Sequence, residues 1–296
     1  MRLAVIGAGM AGVTCARRLA DAGLSPVIFE KSRGLGGRLA TRRADDWRFD
    51  HGAQFVTARK ESFRTYLETH AARWTPVRAS KDWFVGTPAM NALVKPMADG
   101  LDIRLGEAVT AERDGQGWRI GDAVFDRVVS TVPVVQARTL FPEMQDTLSA
   151  VEVAPCWTLM VVFKDGVDWP EMARSREDDL AWIARDASKP QRDAAKECWV
   201  VHASPAWSTA NLELEKDMAR DQMLDLLRAS RGDLPAIAYS VAHRWRYAMT
   251  TTPLGYSHAM SEDESLLIGG DWCLGARVED AWDSGQAMAA AIVGGT

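Results

Sequence analysis

The stretch that decides the fold is RLAVIGAGMAGVTCARRLADAGLSPVIFEKS, residues 2–32. Residues 3–6 are a short apolar run, as in a parallel strand buried on both faces. Gly7, Gly9 and Gly12 then form G-x-G-x-x-G. From residue 10 to residue 22 apolar positions recur at helical spacing, with Arg17, Arg18 and Asp21 outward, and Gly23 is placed to stop the helix. Residues 27–29 read as a second strand, ended by Glu30 eighteen positions beyond Gly12. A dinucleotide needs each part. Gly7 allows the tight turn, Gly9 lets backbone N–H groups approach a pyrophosphate, and Gly12 lets helix and strand pack closely. The helix N-terminus adds partial positive charge, with Met10 and Ala11 in its first turn as further candidate contacts. Glu30 is positioned to accept hydrogen bonds from both ribose hydroxyls, and its charge repels a 2′-phosphate; Lys31 lies beside it. Glycines alone make a weak motif. Between a strand and a helix, with the acid at this distance, they are specific.

A second glycine cluster follows: Arg33-Gly34-Leu35-Gly36-Gly37-Arg38. A nicotinamide-binding Rossmann domain does not need it, and a longer cofactor does. Gly36 and Gly37 bring backbone close to a second stretch of ligand, and Arg38 offers a planar fork of donors to a diphosphate. The chain then reaches FDHGAQF, residues 49–55, where Asp50 and Gly52 suggest a turn that presents backbone to something flat. A surface loop rich in arginine accounts for Arg42 and Arg43 but not for the glycines.

Dinucleotide fingerprint, acid, G-G-R and D-x-G-A in this order resemble the FAD-binding half of the flavin amine oxidase superfamily. The resemblance implies that Gly36, Gly37 and Arg38 line the diphosphate and ribityl chain. It places Gly52, Ala53 and Gln54 beside the isoalloxazine ring. It also implies a strand whose backbone holds the adenine, and DIRLGEAVTAERDGQGWRI, residues 102–120, fits that element. Residues 103–105 are strand-like, residues 109–112 and 118–120 flank the hairpin signal RDGQG, and Val109 becomes the adenine neighbour. Residues 128–131 give the next strand, stopped before Pro133. Near the end, SLLIGGDWCLGARVEDAWDSGQAMAAAI reads as a strand at 266–268, then Gly-Gly-Asp, a loop, and a helix from about Val278. By the same resemblance Gly270 and Asp271 lie near the ribityl-phosphate, and backbone at Arg277 and Val278 faces the flavin N1–C2=O edge. There a helix N-terminus would stabilise the negative charge of a reduced flavin. The competing, weaker reading of Asp271 is a helix cap or turn residue. Cys273 reads as a plain buried thiol, so FAD is expected to be non-covalent.

The whole chain agrees with an enzyme of this kind. It has 296 residues, enough for one large or two modest domains, and its formal net charge of −5 argues against nucleic acid. Cys15, Cys156, Cys198 and Cys273 are scattered without metal-ligand spacing, which excludes a zinc or disulfide framework and fits a cytoplasmic protein. No secretory leader and no apolar run of transmembrane length is read, and no membrane partner is expected. The expected fold class is α/β. A discontinuous Rossmann-type FAD domain (residues 1–57, 89–139 and 257–296) carries a substrate domain with an antiparallel sheet (residues 58–88 and 140–256).

In the middle of the chain, residues 157–163 and 197–202 read as strands and residues 213–229 as a helix. AIAYSVAHRWRYAM, residues 236–249, alternates with period two. Ile237, Tyr239, Val241, His243, Trp245 and Tyr247 share one face, while Ala236, Ala238, Ser240, Ala242, Arg244 and Arg246 share the other. HRWRYA, together with residues 84–94 and 179–190, is similar to renalase and its bacterial relatives. That resemblance implies oxidation of the 2- and 6-dihydro isomers of NAD(P), with hydride passing to flavin N5 and electrons to O2 to give H2O2. No obligatory acid or base is then needed, because the product is an aromatic cation. His243, Trp245 and Tyr247 become candidates for the pocket wall, and Arg244 or Arg246 for meeting substrate phosphates. All of them could equally form a plain strand with an aromatic core face. The rivals are an amine oxidase, for which Lys164 would be the most plausible flavin-N5 lysine, a desaturase of an apolar substrate, and a non-catalytic flavoprotein.

Overall fold

A computed structural model describes residues 1–76 and 82–294. Its first layer is a six-stranded sheet in the order His258–Met260, Leu266–Gly269, Arg127–Ser130, Leu3–Ile6, Pro26–Glu30, Asp102–Leu105. Every pairing is parallel except that of the edge strand His258–Met260. The central strand Leu3–Ile6 is entirely buried, as its uninterrupted apolar run requires. Helices Met10–Asp21 and Val278–Gly294 lie against each other on one face. Gly285 permits that approach, because a Cβ there would stand 2.4 Å from the Ala11 carbonyl oxygen.

The second layer is a five-stranded antiparallel sheet. Its order is Met172–Arg174, Leu180–Arg185, Cys198–Ala203, Glu152–Phe163, Ile237–Thr252. Helix Lys216–Arg231 covers one face, burying Ala219, Met223, Leu224 and Leu227 with Trp157, Leu159 and Trp199. The other face turns toward the parallel layer, where Met160, Val162 and Val200 pack with Phe49. The first insertion shares its core with both layers: Phe63, Leu67, Trp74, Trp83 and Val85 cluster with Val5, Val13 and Leu19, and with Met172 and Trp182.

Most elements stand where the sequence places them, within a residue or two at the ends. Three departures have physical causes. The helix expected from residue 213 begins at Lys216, leaving Glu213 free to take both Arg246 guanidinium nitrogens at 2.7 Å. The strand expected at 109–112 is displaced to Glu112–Asp114, because the turn of RDGQG is only two residues long, at Gly115 and Gln116. The alternation of residues 236–247 is interrupted at both ends. Between Ala154 and Cys156 the partner register jumps from Met249 to Trp245, where Pro155 has no N–H to give the ladder. Between Val162 and Phe163 it jumps from Tyr239 to Ile237, and Ile237 consequently packs with the helix-covered core.

At Gly12 a Cβ would lie 2.0 Å from the Gly7 carbonyl oxygen, whereas at Gly9 it would meet nothing within 4 Å. The two glycines therefore separate packing from ligand access. Gly12→Ala should lose about 1–3 kcal/mol of stability in urea unfolding. Gly9→Ala should leave stability unchanged while weakening FAD uptake, as read by flavin fluorescence.

Candidate functional site: a cofactor cavity between the two sheets

A cavity of about 1600 Å³ lies between the layers. It begins at the carboxyl ends of the first two strands, the expected place for a ligand of an open parallel sheet. Gly7, Gly9, Met10 and Ala11 line it together with Glu30, Lys31 and Val109. Farther along come Gly36, Gly37, Arg38, Gly52, Ala53 and Gln54, then Gly270, Asp271, Arg277 and Val278. Of the expected cofactor residues only Gly12 is off the wall, held in the strand–helix contact.

The two glycine clusters are joined by backbone. Gly36 N–H donates to the Ala8 carbonyl at 2.9 Å, and Gly36 adopts φ +110, a left-handed value that a side chain resists. A Cβ on Gly37 would come within 3.6 Å of Gly9 Cα, so backbone faces backbone across the cradle. The Glu30 carboxylate is anchored from below, accepting Ala8 N–H at 2.8 Å and Ser32 N–H at 2.7 Å. The turn at residue 52 is just as tight, since a Cβ on Gly52 would sit 2.0 Å from the Arg38 carbonyl oxygen, which accepts Ala53 N–H.

Arg38 and Asp271, assigned separately from the sequence, meet. The guanidinium donates to both Asp271 oxygens, at 2.7 and 2.5 Å, and to the Ala248 carbonyl at 3.2 Å. The planar fork matches a carboxylate, and Asp271 thereby fixes where the arginine's charge stands. Asp271 opens the 3₁₀ turn Asp271–Cys273 and does not cap the long helix. That helix is capped by Asp280, whose Oδ2 accepts Arg277 N–H at 2.9 Å, and its N-terminus borders the cavity. Cys273 is fully buried, and burial pushes its thiol up to about 12.

His243, Arg244, Trp245 and Tyr247 line the same cavity, as does Arg246. Trp245 Nε1–H donates to the His51 carbonyl at 3.0 Å, and the His51, His243 and Trp245 rings pack within 5.0 Å of one another. Arg244 and Arg246 emerge on the other side of the strand. Arg244 lies over Trp157 and donates to the Leu212 carbonyl at 2.6 Å, while Glu213 holds Arg246. Lys164 is exposed, its backbone bound to Ala236 at the far end of the sheet.

A cluster that the sequence did not disclose lies behind the 50–54 turn. Lys189 Nζ is fully buried and donates to Asp186 Oδ1 at 2.6 Å, Gln54 Oε1 at 3.2 Å and Asp50 Oδ2 at 3.3 Å. Arg192 donates to Asp50 Oδ2 at 2.6 Å. Burial alone would raise the Asp50 carboxyl, but the charges of Lys189 and Arg192 outweigh it and hold it at about 2. Asp186 is pushed up by burial and by the Asp50 charge. The only available signal was DASKP, where Lys189 follows Asp186 by three residues.

Residues 5–69 match the family model of NAD(P)-binding Rossmann-like domains, and residues 69–293 match that of flavin containing amine oxidoreductases. The chain belongs to the flavin-containing amine oxidoreductase family. The family is one of flavin-containing oxidoreductases. Among curated proteins it is similar to 15-cis-phytoene desaturase of Synechococcus elongatus, 48% identical over 46 residues, which are 16% of this chain and 10% of that protein. It is also similar to 4,4′-diapophytoene desaturase of Staphylococcus aureus, 34% identical over 84 residues, 25% of this chain and 17% of that one. The matches thus span less than a fifth of these relatives. Among solved structures, a protein of Exiguobacterium sp. 255-15 provisionally assigned as a protoporphyrinogen oxidase superposes with a TM-score of 0.80 at 13% identity, covering 100% of this chain and 99% of its own. Putrescine oxidase bound to putrescine superposes with a TM-score of 0.72 at 14% identity, covering 99% of both chains. At such identities these likenesses speak for the fold.

The cavity fits FAD. The open space at Gly9 would admit a pyrophosphate and Glu30 would meet the ribose, while Arg38 and the second glycine pair continue the groove toward the turn at residues 52–54. Among the described residues no cluster of metal ligands occurs, and no helix is long and apolar enough to cross a membrane.

Two predictions come from this geometry. Asp271→Asn releases one arm of the Arg38 fork and should weaken FAD binding at least about tenfold, or about 1.4 kcal/mol, in a fluorescence titration. The second concerns acid. Burial, reinforced by neighbouring positive charge, lowers His51 to about 3 and His202 and His243 to about 4. All three are neutral in the fold and take up protons on unfolding. The stability they contribute is complete above pH 6.5, their ordinary value, and is lost as pH falls toward 4. The thermal midpoint should therefore drop across that window, and His243→Phe should make the drop shallower.

Proposed function

We propose that the chain oxidises the 2- and 6-dihydro isomers of NAD(P). Residues 1–57, 89–139 and 257–296 hold FAD, and residues 58–88 and 140–256 hold the substrate. O2 is the final acceptor: substrate, O2 and one proton give NAD(P)+ and H2O2. FAD supplies the two-electron acceptor; the chain binds, orients and excludes water.

The observation that carries this reading is the charge of the substrate end. Its lining includes Arg174, Arg176, Lys216, Arg244 and Arg246. The lining carboxylates are Glu30 and Glu107, at the ribose end, and Asp271, held by Arg38. A cationic amine would find no free counter-charge there, whereas a phosphate-bearing substrate would. Arg244 and Arg246 are engaged by Glu213 and the Leu212 carbonyl. Arg174, Arg176 and Lys216 make no ion pair among the described residues, which makes them the better candidates for substrate phosphates. Trp182 and Trp245 offer flat faces beside them. The nearby histidines are neutral, and hydride loss from a dihydropyridine needs no base. The alternative that the fold leaves open is an oxidase of small amines.

The deciding measurement mixes the FAD-loaded protein anaerobically with chemically reduced NAD+ containing all dihydro isomers, and follows flavin absorbance. Bleaching by the mixture and not by the pure 4-dihydro form is the expected result; bleaching by amines alone would overturn the proposal. Arg176→Ala should raise KM about tenfold with kcat little changed, as for a phosphate contact made equally in the ground and transition states.

A further inference from the structure

The cations that line the mouth of the cavity fall into two sets. Arg174, Arg176 and Lys216 make no ion pair among the described residues. Arg244 and Arg246 share one carboxylate. Glu213 meets Arg246 with both oxygens, each 2.7 Å from a different guanidinium nitrogen, and its Oε2 also accepts from Arg244 at 3.3 Å. Arg244 is held a second time, by the Leu212 carbonyl at 2.6 Å, and lies over the Trp157 ring. Arg246 has no other hydrogen-bond partner among the described residues.

This pair does little for the fold. The Glu213 side chain is 71% exposed and that of Arg246 39%, and an ion pair so placed contributes little stability. Nor does Glu213 cap the helix that follows, which is entered through Glu215. What Glu213 does is fill the Arg246 fork as a phosphate would, two oxygens to two nitrogens. Arg246 belongs to Ile237–Thr252, the outermost strand of its sheet, so a residue on the face away from the cavity still lines the mouth at the sheet edge. Lys216, at the start of the helix that covers that face, lines the mouth in the same way.

We propose that Glu213 is a specificity-determining residue: a built-in competitor that occupies the Arg246 fork and weakens the binding of phosphate groups at the cavity mouth. This rests on the reading of the mouth as the place of a phosphate-bearing substrate. Three cations stay free for a diphosphate. A 2′-phosphate brings about 1.5–2 further negative charges and three more acceptor oxygens. The fork that would take them is already filled, and the ligand must displace Glu213 to use it. A dinucleotide without that group leaves the pair intact. The mouth therefore favours the dihydro forms of NAD over those of NADP.

The test is isothermal titration of the FAD-loaded chain with inorganic pyrophosphate at low salt, which needs neither turnover nor a nicotinamide. Glu213→Gln keeps the shape of the side chain, removes its charge and frees the fork. It should bind pyrophosphate about threefold to fivefold more tightly than the native chain, the scale of one exposed ion pair. The gain should fade at high salt. Glu215→Gln removes the same charge from the same loop but releases no arginine, since Glu215 makes no ion pair among the described residues. It should show no such gain. Adding Arg246→Ala to Glu213→Gln should return the affinity to the native level. With NADP+ and NAD+ as probes, the ratio of their affinities should shift toward NADP+ by the same factor in Glu213→Gln. No gain in Glu213→Gln, an equal gain in Glu215→Gln, a gain that survives Arg246→Ala, or an unchanged nucleotide ratio overturns the proposal. So does a Glu213→Gln chain that binds no pyrophosphate. A flavin that dihydro-NAD(P) fails to bleach would overturn the function proposed above and leave the pyrophosphate comparison standing, so the two ideas fail separately.

Discussion

One buried carboxylate, Asp50, ties together segments that belong to both layers. Asp50 Oδ1 accepts Thr41 Oγ1–H at 2.6 Å and Met90 N–H at 3.0 Å, while Oδ2 accepts from Arg192 and Lys189. Those partners belong to the strand after the second glycine cluster, the segment that returns from the first insertion, and the loop of the antiparallel sheet. Asp50 also begins the turn that faces the end of the cavity. Two carboxylates and two cations share this dry site. Set against a hydrophobic filling of equal volume, such a cluster adds little net stability, because desolvation offsets the Coulomb attraction. Removing one member is different: it strands a charge and costs on the order of 3–5 kcal/mol. The cluster therefore acts chiefly to specify geometry, fixing where residues 50–54 stand relative to both sheets.

From that constraint the cavity acquires two ends of different character. Beside the parallel sheet the lining is largely backbone, with paired glycines and a helix N-terminus, joined by the Glu30 carboxylate. At the opposite end the lining is side chains: Trp182 and Trp245, His202 and His243, and Arg174, Arg176 and Lys216, which make no ion pair among the described residues. The bulge opposite Pro155 belongs to this end. By interrupting the ladder it brings Arg246, Tyr247 and Ala248 to the cavity rim and lets the Ala248 carbonyl meet Arg38. The twelve tryptophans serve both purposes, some as core and some as wall. Trp118, Trp157, Trp199 and Trp272 are fully buried, while Trp182 and Trp245 show a face to the cavity.

The sequence alone determined the nucleotide-binding half. Most of its strands and its first helix follow from local rules: a turn that only glycine can make, a helix that must start beside it, an acid at the end of the next strand. Such constraints act within a few residues and are legible one segment at a time. The alternation of residues 239–245 was legible for the same reason, since a strand with two unlike faces must alternate. What only the tertiary structure decided are the meetings between segments. Arg38 joins Asp271 across 233 positions of chain, and Lys189 finds Asp50 across 139. Neither pairing leaves a periodic or compositional trace, because an ion pair asks only that two charges be brought together, and that is fixed by how the sheets stack. The fate of Arg244 and Arg246 was hidden likewise. Alternation placed them on a face, but only packing showed that Glu213 waits there, just ahead of a helix that starts later than its apolar pattern suggests.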